Sequence, residues 1–168
     1  MGRGLDREAA FEPRTFTHRT DRGELRIVHA APTVVHFAYD GFSDGSFPKF
    51  IQDVWDREGF GALDRVQVYV DTSGQTGTTS EFRTGLLRWA RPVLAQADEY
   101  VLLVKSRWIA MGIALVRAAV RLLASHIEVQ TKPDVFQAQL EAAVRRSLDD
   151  SVRARGASAA AGRTPQVG

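Results

Sequence analysis

The order of its apolar runs constrains this chain more than any other feature. Two short strand-like runs, residues 24–30 and 33–39, come first and are separated by Ala31 and Pro32, which is typical of a hairpin. Helix-like and strand-like patterns then alternate as far as residue 149, so the full order is β-β-α-β-α-β-α-β-α. Strands joined by helices run parallel, whereas a hairpin adds an antiparallel pair. The sequence therefore predicts an α/β sandwich whose mixed, mostly parallel sheet packs against four helices.

The four predicted helices follow from apolar residues that recur at three- and four-residue spacing. Ser46 is expected to cap the first helix and Gly59 to end it. The strands between the helices are expected at residues 66–70, 100–104 and 127–130, where short apolar runs occur. The apolar positions of the four helices are Phe47, Phe50, Ile51, Val54 and Trp55; Phe82, Leu86, Trp89 and Val93; Ile109, Ile113, Val116, Val120 and Leu123; and Phe136, Leu140, Val144 and Leu148.

The polar ends of the chain are expected to lie outside the folded domain, which we assign to residues 23–149. Residues 1–22 are mostly polar and are interpreted as a flexible arm, and residues 150–168 as a disordered basic tail. Three arginines follow the last acidic residue of the chain, and without them 19 basic residues stand against 20 acidic ones. The positive charge therefore belongs largely to the tail, and it does not indicate nucleic-acid binding.

Several classes of protein are disfavoured by what the sequence lacks. The chain has no cysteine, which excludes disulfides, thiolate metal sites and thiol nucleophiles. Its longest apolar stretch, residues 108–124, contains Arg117 and Arg121, so no membrane span is predicted and the protein is expected to be cytoplasmic. His29 and His36 lie in the two hairpin strands, but no third ligand has suitable spacing, so neither a metal nor another cofactor is predicted.

The segment from Asp71 to Ser80 is the main candidate site, because it links a buried strand to a helix, where α/β folds place ligands. Its glycines and hydroxyls resemble part of a phosphate-binding loop, yet the lysine that such a loop needs is missing. A structural interpretation is also open: a hydroxyl caps the helix, and Asp71 accepts a turn hydrogen bond. The candidate regulatory or partner-binding residues are Asp71, Thr72, Ser73, Thr78, Thr79 and Ser80.

The predicted third helix provides a second candidate surface. Beside its core stripe it carries a further apolar stripe that includes Met111, Leu115 and Leu122. This stripe either packs against a neighbouring helix or forms an exposed face for a partner or for a second copy of the chain.

Three segments are informative together with the order of the elements: VQVYVDTSG at 66–74, YVLLVKS at 100–106 and HIEVQTKPDVFQAQL at 126–140. Over about residues 24–147 the chain resembles STAS domains, the family named for sulfate transporters and anti-sigma-factor antagonists. The resemblance implies a non-catalytic regulatory module of bacterial-type signalling that switches between protein partners. It also places Thr72 and Ser73 where the antagonist family has two serines, one of them phosphorylated, although a longer polar stretch precedes the helix here.

The sequence thus favours a protein-interaction module that binds a protein partner or associates with itself. The first alternative is a carrier of a small apolar, lipid-like ligand, since the CRAL-TRIO lipid-binding family is a related sandwich that keeps an apolar cavity. The second alternative is an enzyme that acts on a phosphate-containing substrate at the segment from Asp71 to Ser80.

Overall fold

The computed structural model describes residues 11–105 and 127–161, and these residues form a mixed α/β fold. The six strands lie in the sheet in the order of the sequence; the first two pairs are antiparallel and the other three are parallel. The strands are β1 (Arg14–Arg19), β2 (Gly23–Ala31), β3 (Val34–Ser43), β4 (Val66–Thr78), β5 (Ala97–Leu103) and β6 (Ile127–Gln130). The helices are α1 (Ser46–Arg57), α2 (Ser80–Gln96) and α3 (Pro133–Ala161), with a 3-10 turn at Phe60–Ala62. The α/β class and the mixed sheet are confirmed, whereas the third of the four predicted helices lies outside the described residues.

One face of the sheet packs against α1 and α2. The alternating side chains of β2 to β4, such as Leu25, Phe37 and Val68, meet the apolar stripes of the two helices in one large core. The predicted stripes are confirmed: the buried positions of α1 are Phe47, Pro48, Ile51, Val54 and Trp55, and those of α2 are Phe82, Trp89, Ala90 and Val93.

The opposite face of the sheet packs against α3. Phe136, Leu140 and Ala143 of this helix contact Tyr69 and Val101 of the central strands in a second, smaller core. The register of the sheet decides which residues reach this face, because successive side chains of a strand point to opposite sides.

Residues 14–19 form an edge strand, so the expectation of a flexible arm does not hold for them. β1 pairs with β2 along its whole length, from Arg14 opposite His29 to Arg19 opposite Glu24. Arg14 also forms an ion pair of 2.7 Å with the buried Glu58 carboxylate. No strand pattern is visible in this segment of the sequence because an edge strand with one solvated face needs few apolar residues, and Phe16 is the only large apolar residue in β1.

The last helix continues well past the predicted end near residue 149. α3 runs to Ala161, so residues 150–161 are helical where the sequence analysis expected a disordered tail. This part of the helix contains five alanines among residues 154–161. Alanine has the highest intrinsic helix propensity, and therefore a helix that has already begun can continue there without apolar anchors.

The ends of α1 are set by residues on both sides of the helix. Ser46 is the first residue of the helix, so the prediction that it caps the helix is wrong. The Asp44 carboxylate instead accepts hydrogen bonds from the Ser46 N–H and from the Ser46 hydroxyl. Gly59 follows the helix with a φ of 69°, a left-handed conformation that favours glycine, so its predicted role is confirmed.

Candidate functional site

The candidate segment from Asp71 to Ser80 is mostly strand, which corrects the expectation of a loop. β4 continues to Thr78 and pairs in parallel with the polar end of β3 through two irregularities in the register. A backbone ladder does not depend on apolar side chains, so the apolar run that ends at Val70 marked only the buried half of this strand. Since these backbone groups pair with β3, the segment does not form the wrapped loop that cradles a phosphate.

A close backbone approach maintains this extended pairing. A Cβ atom at Gly74 would lie 2.8 Å from the Tyr39 carbonyl oxygen and 2.9 Å from Oδ1 of Asp40. Only glycine therefore fits where the two strands meet. The side chain of Gln75 adds a further link, because its Nε2 donates to the Ser43 hydroxyl at 2.8 Å.

Most of the candidate polar groups form internal hydrogen bonds. The Thr79 hydroxyl accepts from the Phe82 N–H at 3.1 Å, which confirms that a hydroxyl caps α2. Asp71 accepts from the Ser73 N–H at 2.8 Å, as the structural interpretation predicted. The Thr72 hydroxyl donates to the Leu103 carbonyl oxygen at 2.8 Å and thereby ties β4 to β5. Among the candidates in the strand, Ser73 is the residue whose hydroxyl has no hydrogen-bond partner within the described residues.

Removal of the Thr79 cap tests this assignment. Thr79→Ala is expected to lower the free energy of unfolding by about 1 kcal/mol, because one helical N–H loses its partner. Thr79→Ser keeps the hydroxyl and is expected to stay close to wild type. Urea denaturation followed by circular dichroism measures both changes; an equal loss in the two variants would contradict the capping role.

The outer face of α2 is a basic surface that the sequence analysis missed. Leu87 is 70% exposed, and Arg83, Arg88 and Arg91 are exposed around it. We call these four residues the α2 surface. Residues 83, 87 and 91 lie four apart, so they share one stripe of the helix, and this spacing was the signal available in the sequence.

The electrostatics of the α2 surface are dominated by its arginines. None of the three forms an ion pair with another residue in the part of the chain that the structure describes. Arg83 instead donates to the Thr78 hydroxyl at 3.1 Å, which joins the surface to the end of β4. The nearest acid along the helix is Glu81 in its first turn, where a carboxylate complements the helix dipole.

The two hairpin histidines lie on opposite faces of the sheet and cannot share a metal. His29 pairs with Val35 and His36 with Val28, so the histidines are offset by one position in the register. His29 packs against the Phe60 ring, and His36 lies near the Phe136 ring. Within residues 11–105 and 127–161, no group of three or more metal-ligating side chains occurs.

Burial of these histidines makes stability depend on pH. Loss of hydration lowers the pKa of both His29 and His36, and Arg14 donates to Nδ1 of His29 at 3.2 Å, which requires that nitrogen to be unprotonated. The unfolded chain therefore binds more protons below its ordinary histidine pKa of 6.5. The contribution of these two neutral histidines to the free energy of unfolding is fully present above this pH. It is lost as the pH falls through their lowered pKa values in the folded state.

We expect the free energy of unfolding to fall between pH 7 and pH 5 by at most about 1.4 kcal/mol per pH unit for each histidine. Urea denaturation of the wild type and of His36→Gln across this range measures the slope. His36→Gln is expected to show a shallower slope, because one of the two titrating groups is gone. His18→Gln, at a half-buried position of the edge strand β1, is the matched control, and a slope equal to that of His36→Gln would contradict the assignment.

The second candidate surface, with Met111, Leu115 and Leu122, lies outside the described residues. Among the helices that the structure describes, none has a stretch long and apolar enough for a membrane span.

Comparisons with family models, with curated proteins and with solved structures give no significant match to this chain. The candidate function therefore depends on the geometry of the residues described above.

Proposed function

We propose that this protein is a non-catalytic, regulatory protein-interaction module that binds an acidic partner protein through the α2 surface. The observation that carries the proposal is the exposure of Leu87 at the centre of three arginines. A single exposed leucine is common on protein surfaces and has no meaning by itself. Arginine, however, is enriched at interfaces, and a leucine among arginines that form no ion pair within the described residues offers apolar contact together with charge-assisted hydrogen bonds.

The charge of the α2 surface favours a partner over a second copy of the chain. In a symmetric dimer the same patch meets itself, so the three arginines of one copy would face those of the other. Like charges disfavour that arrangement, whereas carboxylates of an acidic partner complement it. A shallow depression of about 360 Å³ adjoins the surface and is lined in part by Thr84, Gly85 and Arg88, which gives a partner side chain a place to pack.

Recovery of the partner from the native host tests this function. We expect the full-length protein to recover an acidic partner in near-stoichiometric amount. The variants Leu87→Ala and Arg91→Glu are expected to recover at most about one tenth of the partner that the wild type recovers. The complex is also expected to weaken as salt is raised, because exposed charges are screened. Val152→Ala is the matched control, since Val152 is 60% exposed on α3 and lies outside the α2 surface. Absence of a partner, or equal recovery by all variants, would contradict the proposal.

Ser73 is the residue at which phosphorylation would regulate this binding. Its hydroxyl is without an internal partner in the described structure, whereas that of Thr72 is engaged by Leu103. A phosphate adds a charge of about −2, and at Ser73 it would lie beside Asp71 and oppose an acidic partner. Ser73→Asp is therefore expected to recover less partner than Ser73→Ala, and phosphosite mapping of the same sample checks whether Ser73 is modified.

A further inference from the structure

A second concave site lies at the end of the sheet opposite to the candidate segment. A cleft of about 610 Å³ opens where β4 and β5 begin, beside the turn that follows β2 and the second half of α3. Its volume falls within the range of small-molecule sites. Ligand sites of α/β folds usually lie at the carboxyl ends of the strands, whereas this cleft lies at the amino ends of β4 and β5.

The floor of the cleft is a hydrogen-bonded chain of polar side chains, in which Ser147 is buried and Thr33 and Gln67 are half-buried. Ser147 of α3 is 5% exposed. Its hydroxyl accepts hydrogen bonds from the Thr33 N–H at 3.0 Å and from the Thr33 hydroxyl at 2.8 Å. Gln67 of β4 donates to the Thr33 hydroxyl at 3.3 Å. The bonds between Thr33 and Ser147 join residues 114 positions apart and that between Gln67 and Thr33 joins residues 34 apart, so the floor is fixed by tertiary structure. Fixed polar groups at the base of a cleft orient a polar ligand.

Two ion pairs form the walls, and the Asp150 carboxylate adds a further negative charge beside them. Nε of Arg65 lies 2.5 Å from Oδ2 of Asp98, and Nη2 of Arg146 lies 3.5 Å from Oε2 of Glu99. Each pair uses one nitrogen of a guanidinium that has five N–H donors and one oxygen of a carboxylate. The cleft therefore presents donors for an anionic group and acceptors for a cationic group at the same time.

We propose that this cleft binds a small zwitterion that carries a carboxylate and an ammonium group, as free amino acids do. The carboxylate of the ligand contacts the guanidinium of Arg65 or Arg146, and its ammonium contacts Asp98 or Glu99. A ligand with a single charge satisfies either the guanidinium groups or the carboxylates but not both, so an amine alone or a carboxylate alone is expected to bind more weakly. This inference concerns a different surface from the α2 surface and does not depend on the proposed partner.

Calorimetric titration of the full-length protein with each of the common amino acids tests the inference. We expect at least one to bind with a Kd below about 1 mM. For that amino acid, the carboxamide form lacks the carboxylate and the N-acetyl form lacks the ammonium, and both are expected to bind about tenfold or more weakly.

Variants of the walls locate the site. Arg146→Gln and Asp98→Asn are expected to weaken binding about tenfold or more, and exposed ion pairs contribute little to stability, so both variants are expected to fold. Arg26→Gln on β2, an exposed arginine that does not line the cleft, is the matched control and is expected to bind as the wild type does. Failure of every amino acid to bind with a Kd below about 1 mM would overturn the inference. Wild-type affinity in both wall variants would overturn it equally.

Discussion

Trp89→Ala is expected to lower the free energy of unfolding by about 3–5 kcal/mol. Trp89 is 5% exposed in the core between α2 and the sheet, and its ring meets those of Phe37 and Trp55 edge to face at 5.4 and 5.2 Å between ring centroids. Truncation removes the buried area and both aromatic contacts and leaves a cavity that the surrounding rings fill only in part. Urea denaturation followed by circular dichroism measures the loss.

Leu87→Ala is the matched control for this experiment, because Leu87 lies on the same helix and is 70% exposed. Its effect on the free energy of unfolding is expected to stay within about 0.5 kcal/mol. The same variant is expected to lose the partner. The two variants therefore distinguish Trp89, which anchors α2 in the core, from Leu87, which α2 exposes to a partner. Similar losses of stability in the two variants would mean that the orientation of α2 is wrong.

Gly74→Val is expected to lower the free energy of unfolding by about 3 kcal/mol, at the upper end of the usual range for overpacking. Any Cβ at this position would lie 2.8 Å from the backbone oxygen of Tyr39, so β3 and β4 must separate locally to admit the valine. The same denaturation measurement applies. A change below about 1 kcal/mol would contradict the continuous strand through Thr78 and favour the loop that the sequence suggested.

Gly156→Ala is the matched glycine substitution, and its expected effect has the opposite sign. Gly156 lies inside α3, and a Cβ there meets nothing within 4 Å. Replacement of a helical glycine by alanine is expected to raise helix stability by about 0.5–1 kcal/mol. Proteolysis and circular dichroism report this gain, whereas a disordered tail would show no change in helix content.

The helices on the first face of the sheet could be predicted from the sequence because their signal is local. Phe82, Trp89 and Val93 recur at helical spacing and all three are buried. The hairpin of β2 and β3 and the short strand β6 were likewise indicated by short apolar runs. In each case the pattern of burial repeats with the period of the secondary structure, which a sequence displays directly.

The candidate site was predicted only in part. The hydroxyl cap at Thr79 and the turn bond of Asp71 follow from local chemistry and were anticipated. The α2 surface was not predicted, because only the apolar side of a helix produces a strong periodic pattern in the sequence. The cleft at the other end of the sheet was not predicted either, since its residues Thr33 and Ser147 are 114 positions apart and no local sequence pattern connects them.

The sequence by itself determined the α/β class and the apolar faces of α1, α2 and the first part of α3, because these depend on apolar periodicity. Tertiary structure alone decided that β1 joins the sheet, that β4 continues through a polar segment, and that His29 and His36 point to opposite faces. The physical reason is that strand pairing is made by backbone groups that every residue carries. A shift of one position in register exchanges the two faces, and such a shift leaves no trace in the order of the side chains.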